Sequence, residues 1–262
     1  LCDYLVSPNG TVNIYNNAPG CNTPGEIAAD CGFALPCLPN GDYYFINQSD
    51  VDNFESDYPG CTDLEGDVNI GFINGSGITN LNGLGTITSI EGTLNIYFTS
   101  SLADLAGLDG LNTIGGSLII GKATENGAPN NALTSLTGLE GLTSIEGNLE
   151  ISNNDVLVSL TGLDNLTSIG GGLIIAGDPE YGSNNSLTSL DGLENLSLVG
   201  DLLLLKGNPA LVSITGLAGL TSIGGHLLIN GNYGLSSLAG LEGLTSIGGA
   251  LKIGWSGAGN PA

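Results

Sequence analysis

The stretch that decides the fold is LTSLTGLEGLTSIEGNLEISNNDV, residues 133–156. Its Leu and Ile residues are spaced by three positions four times, then by four and then by two, which fits neither a sustained helix nor a long strand. Only the closing G-x-L-x-I portion alternates with period two, and this predicts one short strand. The apolar positions are Leu133, Leu136, Leu139, Leu142, Ile145, Leu149 and Ile151.

This pattern recurs in tandem from residue 78 to the end of the chain, and all seven offsets are Leu or Ile apart from Val199. One unit cannot bury its apolar side alone, so stacked units must supply the core. Stacking sets the short strands side by side in a parallel sheet, about 4.8 Å apart. We therefore predict an all-β parallel β-solenoid with coils of ~24 residues. The units begin at Ile78, Leu102, Leu133, Leu157, Leu187, Leu211 and Leu235.

A ladder of asparagines supports the same repeat. Each stands three positions before the first residue of the following unit, where a tight corner is expected. A short amide side chain at a corner can bond neighbouring backbone groups, so these residues are predicted to be structural. They are Asn130, Asn154, Asn184, Asn208, Asn232 and Asn260.

The composition restricts the partners. The 262 residues include 44 Gly, only three cationic side chains (Lys122, Lys206 and Lys252) and one histidine, and the net charge is −23. Nucleic-acid affinity depends on Lys and Arg that neutralise phosphates, so binding to nucleic acid is excluded. Docking on an anionic membrane is disfavoured for the same reason. The chain has no run of apolar residues long enough for a transmembrane helix. It does not begin with Met, and we expect a mature or excised piece of a longer protein.

All five cysteines lie in the first quarter of the chain: Cys2, Cys21, Cys31, Cys37 and Cys61. Zinc-site spacings are absent and the only histidine is far away, so disulfides are the better interpretation. Disulfides indicate a compartment outside the cytoplasm. Because five is odd, at least one thiol is unpaired or has its partner elsewhere.

The segment between Cys37 and Cys61 is predicted to cap the solenoid, and these two cysteines, which flank it, are predicted to pair. Ser49 is a candidate helix N-cap, with Asp52 three residues later. Val51, Phe54 and Tyr58 would share one face of the helix, and Pro59-Gly60 would end it. The first strand after this cap is expected in GDVNI, residues 66–70.

The repeated string L-x-x-L-x-G-L-x-x-L-x-x-I-x-G-x-L-x-I-x-x-N resembles the receptor L domain family, a relative of leucine-rich repeats. It is most similar to the versions in surface proteins of Bacteroidetes-type bacteria, over roughly residues 37–262. The resemblance implies a right-handed solenoid with an N-terminal cap of helix and disulfide, and secretion to the cell surface. It does not imply an enzyme. It supplies no functional residues, because binding surfaces differ between members.

The resemblance also divides the chain. Residues 1–36 look like the closing coil and C-terminal cap of a solenoid, with Cys2, Cys21 and Cys31 in it. Their pairing is left open, and Cys2 or a neighbour is expected to pair outside this chain. Residues 37–77 would form the N-terminal cap and first coil, and residues 78–262 the repeats, open at their C-terminal end.

No nucleophile and base can be combined into a catalytic site, since His226 is the only histidine and is predicted to face solvent. A pair of carboxylates for glycoside hydrolysis stays a weak alternative, because the acids recur with the repeat. These acids are simply solvated or help to bind Ca²⁺, although no metal site is predicted and no cofactor is required. They are Asp109, Glu140, Asp164, Glu194 and Glu242.

A third ladder consists of hydroxyls in the recurring T-S-I corner. Regular hydroxyl rows on a flat solenoid suggest an ice-binding face, but an ordinary solvated edge has the same composition. The residues are Thr88, Thr113, Thr143, Thr167, Thr221 and Thr245.

Units of unequal length give the most informative functional signal. Extra residues enter just after the L-x-I strand in three units, within 121–132, 176–186 and 254–262. Loops inserted at one place in a repeat emerge along one edge, which is often a binding edge. Unconstrained drift in loop length explains the pattern equally well. The candidate binding residues are Lys122, Glu125, Asp178, Glu180, Tyr181 and Trp255.

The sequence thus predicts a non-enzymatic module on a bacterial cell surface that serves adhesion or structural assembly. Val12 and Ile14, in GTVNIYNNAPGC at residues 10–21, match the strand positions of Leu94 and Ile96. One copy could therefore continue the open end of another, at Leu251 and Ile253, into a head-to-tail filament. The alternative is a module that binds an extracellular glycan or protein.

Overall fold

The computed structural model describes residues 2–3, 27–28, 30–32, 37–38, 41–71, 76–121, 130–177 and 183–254. In these ranges the chain is a parallel β-solenoid whose coils each add one strand to each of two sheets. Every strand pairs with the equivalent strand of the coil before or after it, as the strands Leu149–Ile151 and Leu173–Ala176 do through Leu149 and Leu173. The predicted fold class is confirmed.

The long sheet contains the predicted L-x-I strands and has nine members among the described residues, all parallel and in chain order. Its first strand comes from the cap segment and pairs with the second through Tyr43 and Val68. The strands are β1 (Tyr43–Phe45), β3 (Val68–Gly71), β5 (Leu94–Tyr97), β7 (Leu118–Ile120), β9 (Leu149–Ile151), β11 (Leu173–Ala176), β13 (Leu203–Lys206), β15 (Leu227–Asn230) and β17 (Leu251–Ile253).

A second, narrow sheet runs through the T-S-I segments, which the sequence predicts as corners. Each strand has two residues, too few for an alternating pattern to reveal it, and the pairing becomes visible only when the coils are stacked. In the described part of the chain it has eight parallel strands. They are β2 (Asp63–Leu64), β4 (Ser89–Ile90), β6 (Thr113–Ile114), β8 (Ser144–Ile145), β10 (Ser168–Ile169), β12 (Leu198–Val199), β14 (Ser222–Ile223) and β16 (Ser246–Ile247).

The core is the stack of the seven repeated apolar positions. In the Leu133 unit all seven residues are buried, and Leu133, Leu139 and Leu149 have no solvent-accessible surface. The same positions are buried in the units that begin at Ile78, Leu102, Leu157, Leu187 and Leu211. The periodicity alone therefore identifies the core.

The N-terminal cap contains two short helices, α1 (Gln48–Asp52) and α2 (Phe54–Asp57). The predicted N-cap, Ser49, is wrong, because the helix has already begun at Gln48. Asn47 is extended and its side chain accepts the Asp50 N–H, while Asp50 accepts the Asn47 N–H at 3.1 Å, a reciprocal capping box. Two 3₁₀ turns follow later in the chain, at Asn82–Leu84 and Thr215–Leu217.

The predicted apolar face of the cap is confirmed, since Val51, Phe54 and Tyr58 are all buried. Phe54 lies 6.0 Å from Tyr43 and 5.6 Å from Tyr58 between ring centroids, so the helices pack on β1 through aromatic contacts. Burial raises the pKa of the Tyr43 hydroxyl to about 12, and this hydroxyl accepts the Leu38 N–H at 2.7 Å.

The predicted Cys37–Cys61 disulfide is present and joins the cap to the start of the solenoid. A second disulfide joins Cys2 to Cys31, whose Cα atoms are 5.6 Å apart. The expected partner outside this chain is therefore wrong for Cys2, because Cys31 lies within bonding range, and for the neighbouring Cys21 it stays a prediction. Cys21 lies outside the described residues. The predicted boundaries at residues 36 and 77 stay predictions.

Candidate binding surface

The six residues predicted for the binding edge lie outside the described part of the chain: Lys122, Glu125, Asp178, Glu180, Tyr181 and Trp255. The structure does show where each of the three inserted loops begins. Gly121, Gly177 and Gly254 directly follow β7, β11 and β17, which are parallel members of the long sheet. The carboxyl ends of parallel strands meet at one edge, so the three loops begin on the same side of the solenoid. The binding role of the six residues stays a prediction.

The asparagine ladder is structural within the described residues. Asn130, Asn154, Asn184, Asn208 and Asn232 have no solvent-accessible surface. The Asn184 amide shows the pattern, because it donates to Ile151 O at 3.1 Å and to Asn208 Oδ1 at 3.0 Å. Thr99 occupies the equivalent position one coil earlier and donates to Asn130 Oδ1 at 2.9 Å. Asn260, the sixth predicted member, lies outside the described residues.

The recurring acids stabilise a specific turn. Each carboxylate accepts the backbone N–H of the glycine two residues earlier, as Glu140 does from Gly138 at 2.7 Å. The glycine adopts a left-handed conformation, with φ between +106° and +113°. The other four pairs, at 2.7–2.9 Å, are Asp109 with Gly107, Asp164 with Gly162, Glu194 with Gly192 and Glu242 with Gly240.

Two units lack the acid and form a different turn. Gly85 and Ala218 stand at the position of the acid in these two units. In each unit the three residues before that position form a 3₁₀ turn, at Asn82–Leu84 and at Thr215–Leu217. The carboxylate therefore accompanies the left-handed glycine, and its absence accompanies the 3₁₀ form. Hydrogen bonding from the Gly240 N–H lowers the pKa of Glu242.

These contacts account for the acids without a ligand. Among the described residues, no group of three or more His, Cys, Asp or Glu side chains is placed to hold a metal ion. The calcium hypothesis therefore gains no support from this part of the chain. The acids recur as equivalent turn residues, so they do not supply the single distinct pair that glycoside hydrolysis needs.

The threonine row lies at the edge of the narrow sheet, and its hydroxyls donate hydrogen bonds to backbone carbonyls of the preceding coil. Thr167 Oγ1 donates to Thr143 O at 3.0 Å, and Thr245 Oγ1 donates to Thr221 O at 3.0 Å. Thr113, which the sequence places in this row, is one residue out of register. Asn112 takes its position, because the Thr143 N–H donates to Asn112 O at 2.9 Å. The row therefore contributes hydrogen bonds between coils.

His226 is exposed, as predicted, and has a partner in the next coil. Its Nδ1 accepts the Ala250 N–H at 2.7 Å. Asn148 Oδ1 accepts the Gly172 N–H at 2.7 Å from the same position of an earlier coil. His226 is thus one member of a row of acceptors between coils.

The outer face of the long sheet differs from these regular rows. At the middle of the strands the outward residues vary in type along the sheet, from Tyr, Asn and Glu to Ile, Leu and Lys, whereas the inward residues on either side are almost always Leu or Ile. The change is abrupt between Glu150 and Ile174, which are direct neighbours in register. From β1 to β17 the outward residues are Tyr44, Asn69, Asn95, Ile119, Glu150, Ile174, Leu204, Leu228 and Lys252.

Sequence reasoning missed this face, although the signal was present. In LIIA, LLLK and LLIN, at residues 173–176, 203–206 and 227–230, the position between the two inward residues is also aliphatic. A strand with one buried face is expected to alternate apolar and polar residues. An aliphatic residue at the outward position is therefore unexplained by the core.

The last described coil exposes residues that are buried elsewhere. Leu251 is 56% exposed and Ile253 is 44% exposed, whereas the equivalent Leu227 and Ile229 of the preceding coil are buried. Any coil that stacks on β17 would cover them. Val12 and Ile14, the predicted counterparts for this contact, lie outside the described residues.

A comparison with protein-family models, curated proteins and solved structures gives no match for this chain. Among the described residues, no helix has the length and apolar character needed to cross a membrane.

Proposed function

We propose that the chain is a non-enzymatic solenoid module of the receptor L or leucine-rich-repeat kind, which works outside the cell on a bacterial surface by binding another macromolecule. One observation carries the proposal. The recurring Asn, acidic and Thr side chains form hydrogen bonds inside the stack, whereas the outward residues of the long sheet change from coil to coil. A surface that the fold does not constrain is free to carry specificity.

The repeat string and the two-sheet coil support the receptor L assignment. The Cys2–Cys31 and Cys37–Cys61 disulfides support an extracellular location, since disulfides persist in oxidising compartments. The acidic composition directs the choice of partner towards proteins and glycans and away from nucleic acid and anionic lipid.

A glycan array and a pull-down from an extracellular protein fraction test the binding proposal, with the full chain as probe. We expect at least one saturable ligand, whose binding is weakened by Leu204→Asn on the long sheet and unchanged by Ser168→Asn on the narrow sheet. Absence of any ligand in both assays, together with a monomer in solution, would contradict the proposal.

Head-to-tail assembly is the second candidate, favoured by the exposure of Leu251 and Ile253. In this hypothesis the opening segment of a second copy covers them. Sedimentation velocity over a concentration series should show association that Leu251→Glu abolishes, because a charge at this position cannot be buried unpaired. A concentration-independent monomer would eliminate the candidate.

A further inference from the structure

The outer face of the long sheet has one region where aliphatic and cationic side chains gather. It lies on the four neighbouring strands β11, β13, β15 and β17, which together span about 14 Å across the sheet. Residues two positions apart on a strand point to the same side, which places Leu204 and Lys206 together on β13. The aliphatic-cationic patch consists of Ile174, Leu204, Lys206, His226, Leu228 and Lys252.

The aliphatic residues form one row in direct register. Ile174 pairs with Leu204, Leu204 pairs with Leu228, and Leu228 pairs with Lys252. All three aliphatic side chains are partly exposed. The fold does not require apolar residues there, because Asn69 and Asn95 occupy the same position in earlier coils. Contiguous apolar groups kept partly in water point to a covering partner.

Two of the chain's three lysines lie beside this row. They are Lys206 and Lys252, in a molecule with a net charge of −23. Lys206 and Lys252 are exposed, and neither forms an ion pair with any residue that the structure describes. The earlier coils carry Asp42, Asp67 and Glu150 on the same face. Asp201 lies beside Gly225, next to His226, so acidic groups border the patch as well. What distinguishes the patch on this strongly acidic molecule is the pair of exposed lysines next to the aliphatic row.

We propose that the aliphatic-cationic patch binds a segment of a protein partner in which aliphatic residues are flanked by carboxylates. The inference rests on the proposed function of a binding module and names the partner's chemistry. Carboxylates match Lys206 and Lys252, and an apolar ridge matches the row from Ile174 to Leu228. Screening confines charge interactions to about 8 Å at physiological salt, so Lys206 and Lys252 act on carboxylates that dock beside them on β13 to β17. Glu150 borders the other end of the patch, next to Ile174.

A protein segment fits better than a glycan because the patch holds no aromatic side chain, the usual platform for a sugar ring. The outward aromatic residues that the structure describes on this face, Tyr44 and Tyr97, lie on β1 and β5, away from the patch.

The test is fluorescence anisotropy of a labelled peptide of alternating leucine and glutamate, titrated with the full chain. Peptides with glutamine or lysine in place of glutamate serve as ligand controls. The double substitution Leu204→Asn and Leu228→Asn removes two of the three aliphatic residues of the row. We expect the fold to tolerate it, since Asn69 and Asn95 occupy the same position in earlier coils. Ile119→Asn is the matched control, because it makes the same kind of change at the same strand position outside the patch.

The charge arm combines Lys206→Glu with Lys252→Glu. The control is Ser144→Glu with Ser168→Glu on the narrow sheet, which also introduces two carboxylates. We expect saturable binding of the glutamate peptide and a loss of about tenfold or more in affinity for both patch variants. The control variants should stay within about twofold. The acidic molecule can attract the lysine peptide at other sites, but that binding should not weaken in the patch variants.

The inference is wrong if the glutamate peptide shows no saturable binding, if the controls weaken binding as much as the patch variants, or if the patch variants weaken binding of the lysine peptide to the same extent. If Leu204→Asn instead weakens glycan binding or self-association, the patch has a different occupant. The inference about the partner is then wrong, and the proposed binding function stands. Should no ligand respond in any arm, the proposed function fails as well.

Discussion

Asn184 shows how one buried amide joins three coils. It donates to Ile151 O and Asn208 Oδ1, and its own Oδ1 accepts the Asn154 N–H at 3.1 Å. Each of these backbone and side-chain groups is buried and would be left without its partner if the amide were removed. The hydrogen bonds of the asparagine ladder therefore hold neighbouring coils together at the corner where each coil ends.

Asn184→Ala should lower the free energy of unfolding by about 3 kcal/mol, because several buried polar groups lose their partners at once. Urea denaturation followed by circular dichroism measures the change. The control is Asn185→Ala, at the exposed neighbouring residue, which should stay within about 0.5 kcal/mol. Equal effects at the two positions would show that the ladder does not hold the coils together.

Asp63 gives a test of the hydrogen bonds at the first strand of the narrow sheet. Hydrogen bonds from Ser89, Thr62 and Thr88 lower the pKa of this carboxyl, with Ser89 contributing most at 2.6 Å. A lowered pKa in the folded state means that the carboxylate stabilises the protein above the ordinary Asp pKa. This contribution is lost as the pH falls through the lowered value.

Ser89→Ala should therefore raise the pKa of Asp63 towards its ordinary value, as measured by NMR titration of the side-chain carboxyl. Ser168→Ala makes the same change three coils further on and should leave the Asp63 titration in place. An unchanged pKa in Ser89→Ala would mean that the short contact is not formed in solution.

At the scale of elements, the turn before each narrow-sheet strand exists in two forms. Gly138 has a φ of +107°, and a Cβ there would overlap the carbonyl oxygen of Leu105 in the preceding coil. The equivalent glycine of the Ile78 unit, Gly83, has no left-handed φ, but an added Cβ there would also overlap a carbonyl oxygen, that of Val51. Gly85, which takes the position of the acid in that unit, has a φ of −63°, and an added Cβ would lie 3.7 Å from its nearest neighbour. Stacking therefore requires Gly138 and does not require Gly85.

Gly138→Ala should lower the unfolding free energy by about 3 kcal/mol, since it combines a left-handed backbone with overlap against a carbonyl. Gly85→Ala should be neutral or stabilising by up to about 1 kcal/mol, because Ala restricts only the unfolded chain there. Thermal denaturation of both variants decides the point. If the two variants behave alike, the left-handed glycine is not required by stacking.

The sequence predicts the features that repeat and misses those that depend on neighbours. The L-x-I strands, the buried Leu and Ile positions and the Asn ladder follow from periodicity, since the same offset recurs in every unit. The narrow sheet could not be predicted from two-residue strands, and Asn47 was overlooked as N-cap because Ser49 offered a similar side chain two residues later. The role of acids such as Glu140 required the geometry of the turn.

At the scale of the whole molecule, the candidate surface was harder to predict than the fold. The aliphatic row appears in the sequence only as extra Leu and Ile within strands such as LLLK, where it merges with the core pattern. Its position beside Lys206 and Lys252 depends on stacking, because these residues are distant along the chain. A repeat fold brings such residues together on successive coils, and a sequence motif does not record this.

Stacking also predicts how the molecule responds to the loss of a coil. Each coil contacts chiefly its two neighbours, so the solenoid behaves as a nearly one-dimensional array. Deleting residues 133–156 removes one whole unit and lets β7 pair with β11 in the same register, with Asn130 facing Asn184. Deleting residues 133–144 removes half a unit and places inward residues against outward ones.

We expect the whole-unit deletion to fold, with the β-sheet signal and a cooperative thermal transition retained at a somewhat lower temperature, because one set of interfaces is lost. The half-unit deletion should lose the transition and become sensitive to protease, since a shift in register exposes the apolar row of every later coil. Circular dichroism and limited proteolysis of the two deletions distinguish these outcomes. Unfolding of both deletions would show that each coil depends on contacts beyond its two neighbours. The solenoid would then not behave as a nearly one-dimensional array.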